Sequence, residues 1–175
     1  MPFSTDGVYT IKNIARDLML DLKEGDTTEG NQIQGFVEDG TPAQQWIIKR
    51  HYVPGSSSKI VTIQSVISGT NGNGFFTAAI QDSDEPIIYT AQAFIVDLVA
   101  QADSTYTIRY IVGDDNLVLS IPSPRRGEVK LETYVPGTPH QQWRLTRVLL
   151  GSDESEGDKV EGTRAEGEME ELAEE

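Results

Sequence analysis

The stretch that decides the fold is Gly40-Thr41-Pro42-Ala43-Gln44-Gln45-Trp46, which returns almost unchanged as Gly137-Thr138-Pro139-His140-Gln141-Gln142-Trp143. Six of the seven residues are identical at an offset of 97 residues. Upstream, Tyr9-Thr10-Ile11 returns as Tyr106-Thr107-Ile108 at the same offset, so a whole unit is duplicated rather than one short motif. An offset of 97 residues is too long for a single small repeat and indicates a further copy in between.

A degenerate third copy fits between the two clear ones. Val61-Thr62-Ile63 stands for the Tyr-Thr-Ile segment, and Gln92-Ala93-Phe94 stands for Gln-Gln-Trp. Three units of roughly 45 to 50 residues result, within the range of known repeat architectures. The predicted domain spans residues 7–150, in units of about 7–55, 56–102 and 103–150, after an N-terminal extension of residues 1–6.

Within each unit the apolar residues occur in short runs separated by Gly, Pro, Asn, Asp and Ser, which is typical of β-strands. Most runs alternate apolar and polar residues, as half-buried strands do. The twelve predicted strands are residues 8–14, 18–22, 33–37, 46–50, 60–66, 75–80, 86–89, 94–99, 106–112, 117–121, 129–134 and 143–148. Three sets of four strands predict an all-β fold of the β-trefoil type, a six-stranded barrel capped by three hairpins.

The aromatic residues that end the repeated motif predict the core. Trp46, Phe94 and Trp143 begin the fourth strand of their units, so we expect the three rings to fill the base of the barrel, each burying about 150 to 250 Å². Gly40 and Gly137 precede a Thr-Pro pair, where a turn needs a backbone conformation that other residues resist. We therefore assign these motif residues to structure rather than to chemistry.

The net charge of −14 is concentrated in the C-terminal tail. Residues 151–175 hold 11 acidic and two basic residues, a net charge of −9, and few large apolar residues. Such a segment cannot bury enough apolar surface to offset the entropy of ordering, so we expect a disordered, solubilising tail, with an acidic attraction for a basic partner as the alternative. The acidic chain has no basic stripe, which argues against nucleic acid as a partner.

Composition also bounds the chemistry. The chain has no cysteine and two histidines, His51 and His140, and lacks a Gly-x-Ser-x-Gly elbow, so we expect no disulfide, metal site, cofactor or catalytic residue. No run of 18 apolar residues occurs, and the first residues lack a basic and an apolar region, so we expect neither a membrane span nor a signal peptide. A cytoplasmic location is the expectation that follows.

The repeated units resemble the ricin B-type lectins, in particular the small single-domain lectins of fungi. The resemblance covers most of residues 7–150 and includes Leu20-Asp21-Leu22, Ile33-Gln34-Gly35-Phe36 and the Gln-x-Trp signature at Gln44-Gln45-Trp46 and Gln141-Gln142-Trp143. It implies a β-trefoil that binds glycans or glycoconjugates without transforming them. It also implies a protein that is often a cytosolic homodimer with a role in defence.

In that family a sugar site combines an Asp after the second strand, a polar residue and a ring from the third strand, and an Asn before the Gln of Gln-x-Trp. The resemblance places Asp21, Gln34, Phe36 and Gln44 in these roles in the first unit, and a galactose- or N-acetylgalactosamine-type sugar as the ligand. The Asn position holds Ala43. Losing that amide removes one or two hydrogen bonds of about 0.5 to 1.5 kcal/mol each, so we expect a weakened site.

The third unit predicts a second, weaker site. Glu132 occupies the polar strand position, Tyr134 supplies a ring, and His140 and Gln141 stand for the Asn-Gln pair, while Ser120 replaces the Asp. An exposed loop histidine is the alternative interpretation. The second unit has Tyr89 but little polar apparatus, so we interpret it as structural.

Residues 122–128, with the sequence PSPRRGE, predict an alternative function. Arg125 and Arg126 stand between prolines and a glycine in the loop that joins the second and third strands of unit three. A restricted loop that presents an arginine suits the specificity pocket of a trypsin-like serine protease, so a β-trefoil protease inhibitor remains open beside the lectin. A solvated surface turn is the simpler interpretation of the same loop.

Overall fold

The computed structural model describes residues 5–51, 59–78, 80, 82–111 and 116–149. The predicted tail, residues 151–175, lies outside them. The strands are β1 (Gly7–Asn13), β2 (Leu18–Leu22), β3 (Ile33–Phe36), β4 (Trp46–Arg50), β5 (Ile60–Gly69), β6 (Gly72–Ala78), β7 (Ile87–Thr90), β8 (Ile95–Ala100), β9 (Tyr106–Tyr110), β10 (Leu117–Ser120), β11 (Lys130–Thr133) and β12 (Trp143–Arg147). Each lies within three residues of the bounds predicted from the sequence.

Six of the strands close into a barrel. The first and fourth strands of every unit pair antiparallel in a ring that runs β1, β4, β5, β8, β9, β12 and back to β1. The apolar face of each strand points inward, and Ile11, Ile63 and Ile108 occupy corresponding inward positions with at most 2% of their surface exposed. A closed ring has no free edge, so every barrel strand is paired on both sides.

The remaining strands form three hairpins, β2–β3, β6–β7 and β10–β11, that cover one end of the barrel. Isolated bridges tie the hairpins to one another, at Gln32 with Ile88, Gln34 with Glu128, and Pro86 with Lys130. Three four-stranded units around a closed six-stranded barrel are a β-trefoil, which confirms the predicted fold. Within the described residues, no helix is long and apolar enough to cross a membrane.

The repeated motif has the expected structural role in units one and three. Trp46 and Trp143 are completely buried, and each indole N–H donates to a main-chain oxygen, that of Leu20 at 2.9 Å and that of Leu119 at 3.1 Å. The Gly-Thr-Pro segments lead into short 3₁₀ turns, Pro42–Gln44 and Pro139–Gln141. Gly40 and Gly137 have φ of 71° and 76°, in the left-handed region where a side chain is unfavourable.

The second unit departs from the predicted core arrangement. Trp46 on β4 pairs with Ser65 on the neighbouring strand β5 of the next unit. The residue with the corresponding pairing in unit two is Val96 on β8, which pairs with Tyr110 on β9. Val96 is 1% exposed, whereas Phe94 is only partly buried and packs its ring 4.7 Å from that of Tyr110. The prediction that Phe94 fills the barrel base is therefore wrong. Tyr110, the residue paired with Val96, is itself 1% exposed.

Candidate functional site

A groove of about 610 Å³ opens on the first unit, between the β2–β3 hairpin and the turn that precedes β4. It is lined by Asp21, Lys23, Glu24, Gly25, Gln34, Phe36, Asp39, Thr41, Pro42, Ala43 and Ile67. All but one of these residues belong to unit one. The exception, Ile67, comes from β5 of the second unit, so the groove extends to the neighbouring repeat.

Asp21 forms the floor of this groove. Asp21 is 3% exposed, and each of its carboxylate oxygens accepts a hydrogen bond from a side-chain amide: Oδ1 from Gln34 at 3.2 Å and Oδ2 from Gln44 at 3.0 Å. Burial raises the pKa of Asp21, the two amide hydrogen bonds oppose that effect, and the nearby charge of Asp39 adds to it. Because a carboxylate offers about four lone-pair positions, Asp21 keeps acceptor capacity toward the groove.

Gln44 lies behind Asp21 rather than in the groove. It is 1% exposed, and its Nε2 also donates to the Val37 oxygen at 2.8 Å while its Oε1 accepts the Asp39 N–H at 3.0 Å. Three hydrogen bonds thus fix the Asp21 carboxylate and the start of the following turn at once. The structure assigns Gln44 a positioning role, whereas the resemblance grouped it with the sugar-contacting residues.

Phe36 provides the apolar wall. Phe36 is the last residue of β3 and pairs with Met19 of β2, and 45% of the residue is exposed. An exposed ring beside a carboxylate suits a pyranose, whose C–H face packs on an aromatic surface while its hydroxyls bond to polar groups. Ala43 lines the groove at the predicted Asn position and contributes no polar side-chain atom.

Asp39 is a groove residue that the sequence reasoning missed. Its Oδ1 accepts the N–H and the hydroxyl of Thr41, at 3.0 and 2.7 Å, so the carboxylate is held at the groove rim. The Thr41 hydrogen bonds lower its pKa, and the side chain is ionised at neutral pH. Its only sequence signal was an Asp directly before Gly40, and the repeat does not preserve it, because Pro136 stands 97 positions later.

In the third unit the structure brings three of the predicted side chains together. Glu132 Oε1 accepts hydrogen bonds from Gln141 Nε2 at 3.0 Å and Ser120 Oγ at 2.7 Å, and lies 3.0 Å from His140 Nε2. Burial alone would raise the pKa of Glu132, but the hydrogen bonds from Gln141 and Ser120 and the nearby His140 together lower it. These three protein groups occupy the acceptor capacity of Oε1.

The strand register of unit three differs from the predicted one by two residues. Leu119 pairs with Leu131 as Leu20 pairs with Gly35, so Glu132 corresponds to Phe36 rather than to Gln34. Tyr134 is therefore not the counterpart of Phe36. Its ring lines a separate groove of about 360 Å³ beside the Asp97–Arg109 ion pair, and its hydroxyl donates to Gln101 at 3.3 Å.

The second unit has no ring at the position of Phe36. Thr90, which pairs with Phe75 in the β6–β7 hairpin, occupies the position in unit two that Phe36 occupies in unit one. Thr90 is 6% exposed. The Tyr89 ring points into the core, at 2% exposure. Among the described residues, no three His, Asp or Glu side chains are grouped so that they could hold a metal ion.

The arginine loop is exposed but anchored. Arg125 and Arg126 face solvent, while Arg16 donates to the main-chain oxygens of Ile121 and Pro122 at 2.9 and 2.6 Å and fixes the start of the loop. Gly127 follows, with its oxygen bonded to the N–H of Gly35. The loop is accessible, but none of the comparisons below supports a protease inhibitor.

Comparisons with known proteins agree with this geometry. Residues 3–74 match the model of the family described as ricin-type beta-trefoil lectin domain-like. No curated protein matches the chain. Among solved structures, the Rhizoctonia solani agglutinin is similar with a TM-score of 0.70 and 24% identity, over 85% of this chain and 100% of that one. The Macrolepiota procera ricin B-like lectin in complex with lactose gives 0.66 and 19%, over 85% and 100%.

The designed threefold-symmetric protein ThreeFoil is also similar, with a TM-score of 0.69 and 18% identity over 82% of this chain and 100% of that one. At these identities the structural likeness establishes the fold, and the family match lies on the unit that contains the Asp21 groove. Residues 3–74 carry the signature of the ricin-type β-trefoil lectin-like domain, and the chain has the ricin B-like fold that its Gln-x-Trp repeats predicted.

Proposed function

We propose that the protein is a non-catalytic lectin that binds a galactose- or N-acetylgalactosamine-type sugar in the groove of its first unit. The observation that carries the proposal is the pairing of a buried, oriented carboxylate with an exposed ring, Asp21 beside Phe36, in one open groove. The family match over this unit supports it, as does the likeness to a lectin whose structure contains lactose.

Each groove residue has a chemical task in this proposal. Asp21 accepts two hydroxyls of the sugar, Gln34 offers an amide from the neighbouring strand, and Phe36 packs on the C–H face of the pyranose. Gln44 holds Asp21 in place. Because Ala43 supplies no amide, the sugar affinity depends on these contacts and on hydrogen bonds from residues at the groove rim, such as Asp39.

Isothermal titration calorimetry of the full chain with methyl galactoside, N-acetylgalactosamine and lactose tests the proposal. We expect binding by the wild type, and at least a tenfold loss in Asp21→Asn, since a charge-assisted hydrogen bond contributes about 1.5 to 3 kcal/mol. Phe36→Ala should weaken binding by a comparable factor through loss of the stacking surface.

Val135→Ala is the matched control for Phe36→Ala. Val135 is an exposed apolar residue of the third unit, 53% accessible, and does not line the groove. Its variant should bind like the wild type. If none of the three sugars binds, or if Asp21→Asn binds as tightly as the wild type, the assignment of this groove as a sugar site is wrong.

A further inference from the structure

Asp39 stands at the rim of the same groove, in a position that the local structure fixes from both ends. Its N–H donates to the buried Gln44, and its Oδ1 accepts both donors of Thr41. These contacts leave Oδ2 as the oxygen that can face a ligand. The side chain is close enough to Asp21 to affect its ionisation.

The donors and acceptors of the groove are unequal. Asp21, Asp39 and Glu24 contribute three carboxylates. The side-chain donors are one ammonium at Lys23, one primary amide at Gln34 and the Thr41 hydroxyl, which already donates to Asp39. A carboxylate accepts hydrogen bonds and cannot donate them when ionised. The groove therefore favours ligand groups that donate, namely hydroxyls and above all an ammonium, and disfavours those that only accept.

The excess of acceptors in the groove should distinguish sugars by the group on their second carbon. An N-acetyl group brings one N–H donor and a carbonyl acceptor, carries no charge, and replaces a small polar group by a larger one. A free amine in the same place is protonated below about pH 7 and offers three donors and a positive charge to the carboxylates. A carboxylate on the sugar, as in a uronic acid, meets like charges.

We propose that Asp39 is a specificity-determining residue that makes the groove prefer an unacetylated amino sugar over the neutral N-acetyl sugar and over acidic sugars. The inference rests on the proposed sugar-binding function of this groove. Asp39 supplies a fixed charged acceptor at the rim where Ala43 contributes no amide. Together with Asp21 it flanks the ligand with two negative charges.

The test compares four monosaccharides of the same ring configuration by calorimetry on the full chain. These are methyl galactoside, galactosamine, N-acetylgalactosamine and galacturonic acid, at about pH 6 and low ionic strength. We expect galactosamine to bind about 2- to 5-fold more tightly than methyl galactoside, because a partly exposed charge pair contributes on that scale. N-Acetylgalactosamine should bind more weakly than galactosamine, and galacturonic acid most weakly.

Asp39→Asn isolates the charge, since an asparagine oxygen can still accept the Thr41 hydrogen bonds. It should remove most of the galactosamine preference, because it weakens galactosamine binding more than methyl galactoside binding. Glu38→Gln is the matched control. Glu38 is the adjacent acidic residue, lies 3.7 Å from Lys12 and does not line the groove, so the preference should persist in its variant.

The outcomes separate the two levels of the proposal. If methyl galactoside binds but galactosamine binds no more tightly, or if Asp39→Asn keeps the wild-type preference, the role of Asp39 is refuted and the lectin function stands. The same holds if Glu38→Gln loses the preference as fully as Asp39→Asn does. If none of the four sugars binds, both are refuted. Added salt should reduce the galactosamine preference, because the attraction is between exposed charges.

Discussion

Replacement of Gln44 by leucine should disable the groove by removing the group that positions it. Leucine has a similar size but makes none of the three hydrogen bonds of Gln44, which reach Asp21 at 3.0 Å, the Val37 oxygen at 2.8 Å and the Asp39 N–H at 3.0 Å. The bond to the carboxylate contributes about 1.5 to 3 kcal/mol and the two neutral bonds about 1 kcal/mol each. Since Val37 and Asp39 are exposed, water can hydrogen-bond to their main-chain groups in the variant and offset part of the loss of the two neutral bonds.

The net expectation is a loss of about 2 to 4 kcal/mol in the free energy of unfolding. For a domain of this size that corresponds to a fall in Tm on the order of 5 to 15 °C. Sugar affinity should fall at least tenfold, because Asp21 loses one of its two amide partners and Asp39 loses its main-chain anchor. Urea unfolding measures the first effect and calorimetric titration the second.

The internal repeat provides the control. Gln141 makes the same three contacts in unit three, with Glu132 at 3.0 Å, the Thr133 oxygen at 3.0 Å and the Val135 N–H at 2.9 Å. Gln141→Leu should destabilise the domain by a similar amount and leave sugar affinity unchanged. Equal affinities in wild type and Gln44→Leu, or equal losses of affinity in the two glutamine variants, would refute the positioning role.

Three further predictions concern the core and the two carboxylates. Trp143→Ala should cost about 3 to 5 kcal/mol in denaturant unfolding, and Phe94→Ala clearly less, because the Trp143 ring is fully buried and the Phe94 ring is not. Burial raises the pKa of Asp21 above 3.8, the ordinary value for Asp, and sugar binding needs the ionised carboxylate. Sugar affinity should therefore fall as pH is lowered through this raised pKa, which calorimetry at a series of pH values measures. The pKa of Glu132 in the folded state is lowered from 4.5, so its ionised form stabilises the domain above pH 4.5, and this stabilisation is lost as pH falls through the folded-state pKa. Glu132→Gln should therefore reduce the loss of stability at acid pH, which urea unfolding at a series of pH values measures.

The sequence predicted the strands and the barrel because both depend on local signals that the repeat reinforces. Alternating apolar residues mark the strands, and the recurring Gly-Thr-Pro turn before Gln-Gln-Trp fixes where each clear unit ends. That Asp21, Gln34 and Phe36 line one groove was also predictable, since they lie on strands that the prediction bounded almost correctly. Their role in sugar binding stays a prediction.

The register in which the strands pair could not be predicted from the alternation of apolar residues. Phe94 and Val96 are two residues apart, so both fit the same alternation, and only the pairing of Val96 with Tyr110 on the next unit places valine in the core. Glu132 and Tyr134 present the same problem in unit three, where pairing with β10 decides which side chain occupies the ring position. Alternation has a period of two residues, so a shift by two changes no local pattern.

The sequence by itself determined the threefold repeat and the two buried tryptophans, because both are recorded in residue types at repeating positions. Asp21 does not recur in the other units, and the family resemblance placed it in the site. Tertiary structure alone decided that Gln44 lies behind Asp21, that Asp39 reaches the groove, and that Tyr134 lines a separate groove while Glu132 bonds to Gln141. The physical reason is that these placements depend on pairing register and on turns packed against distant strands, and the energies that select them come from contacts between residues far apart in the chain.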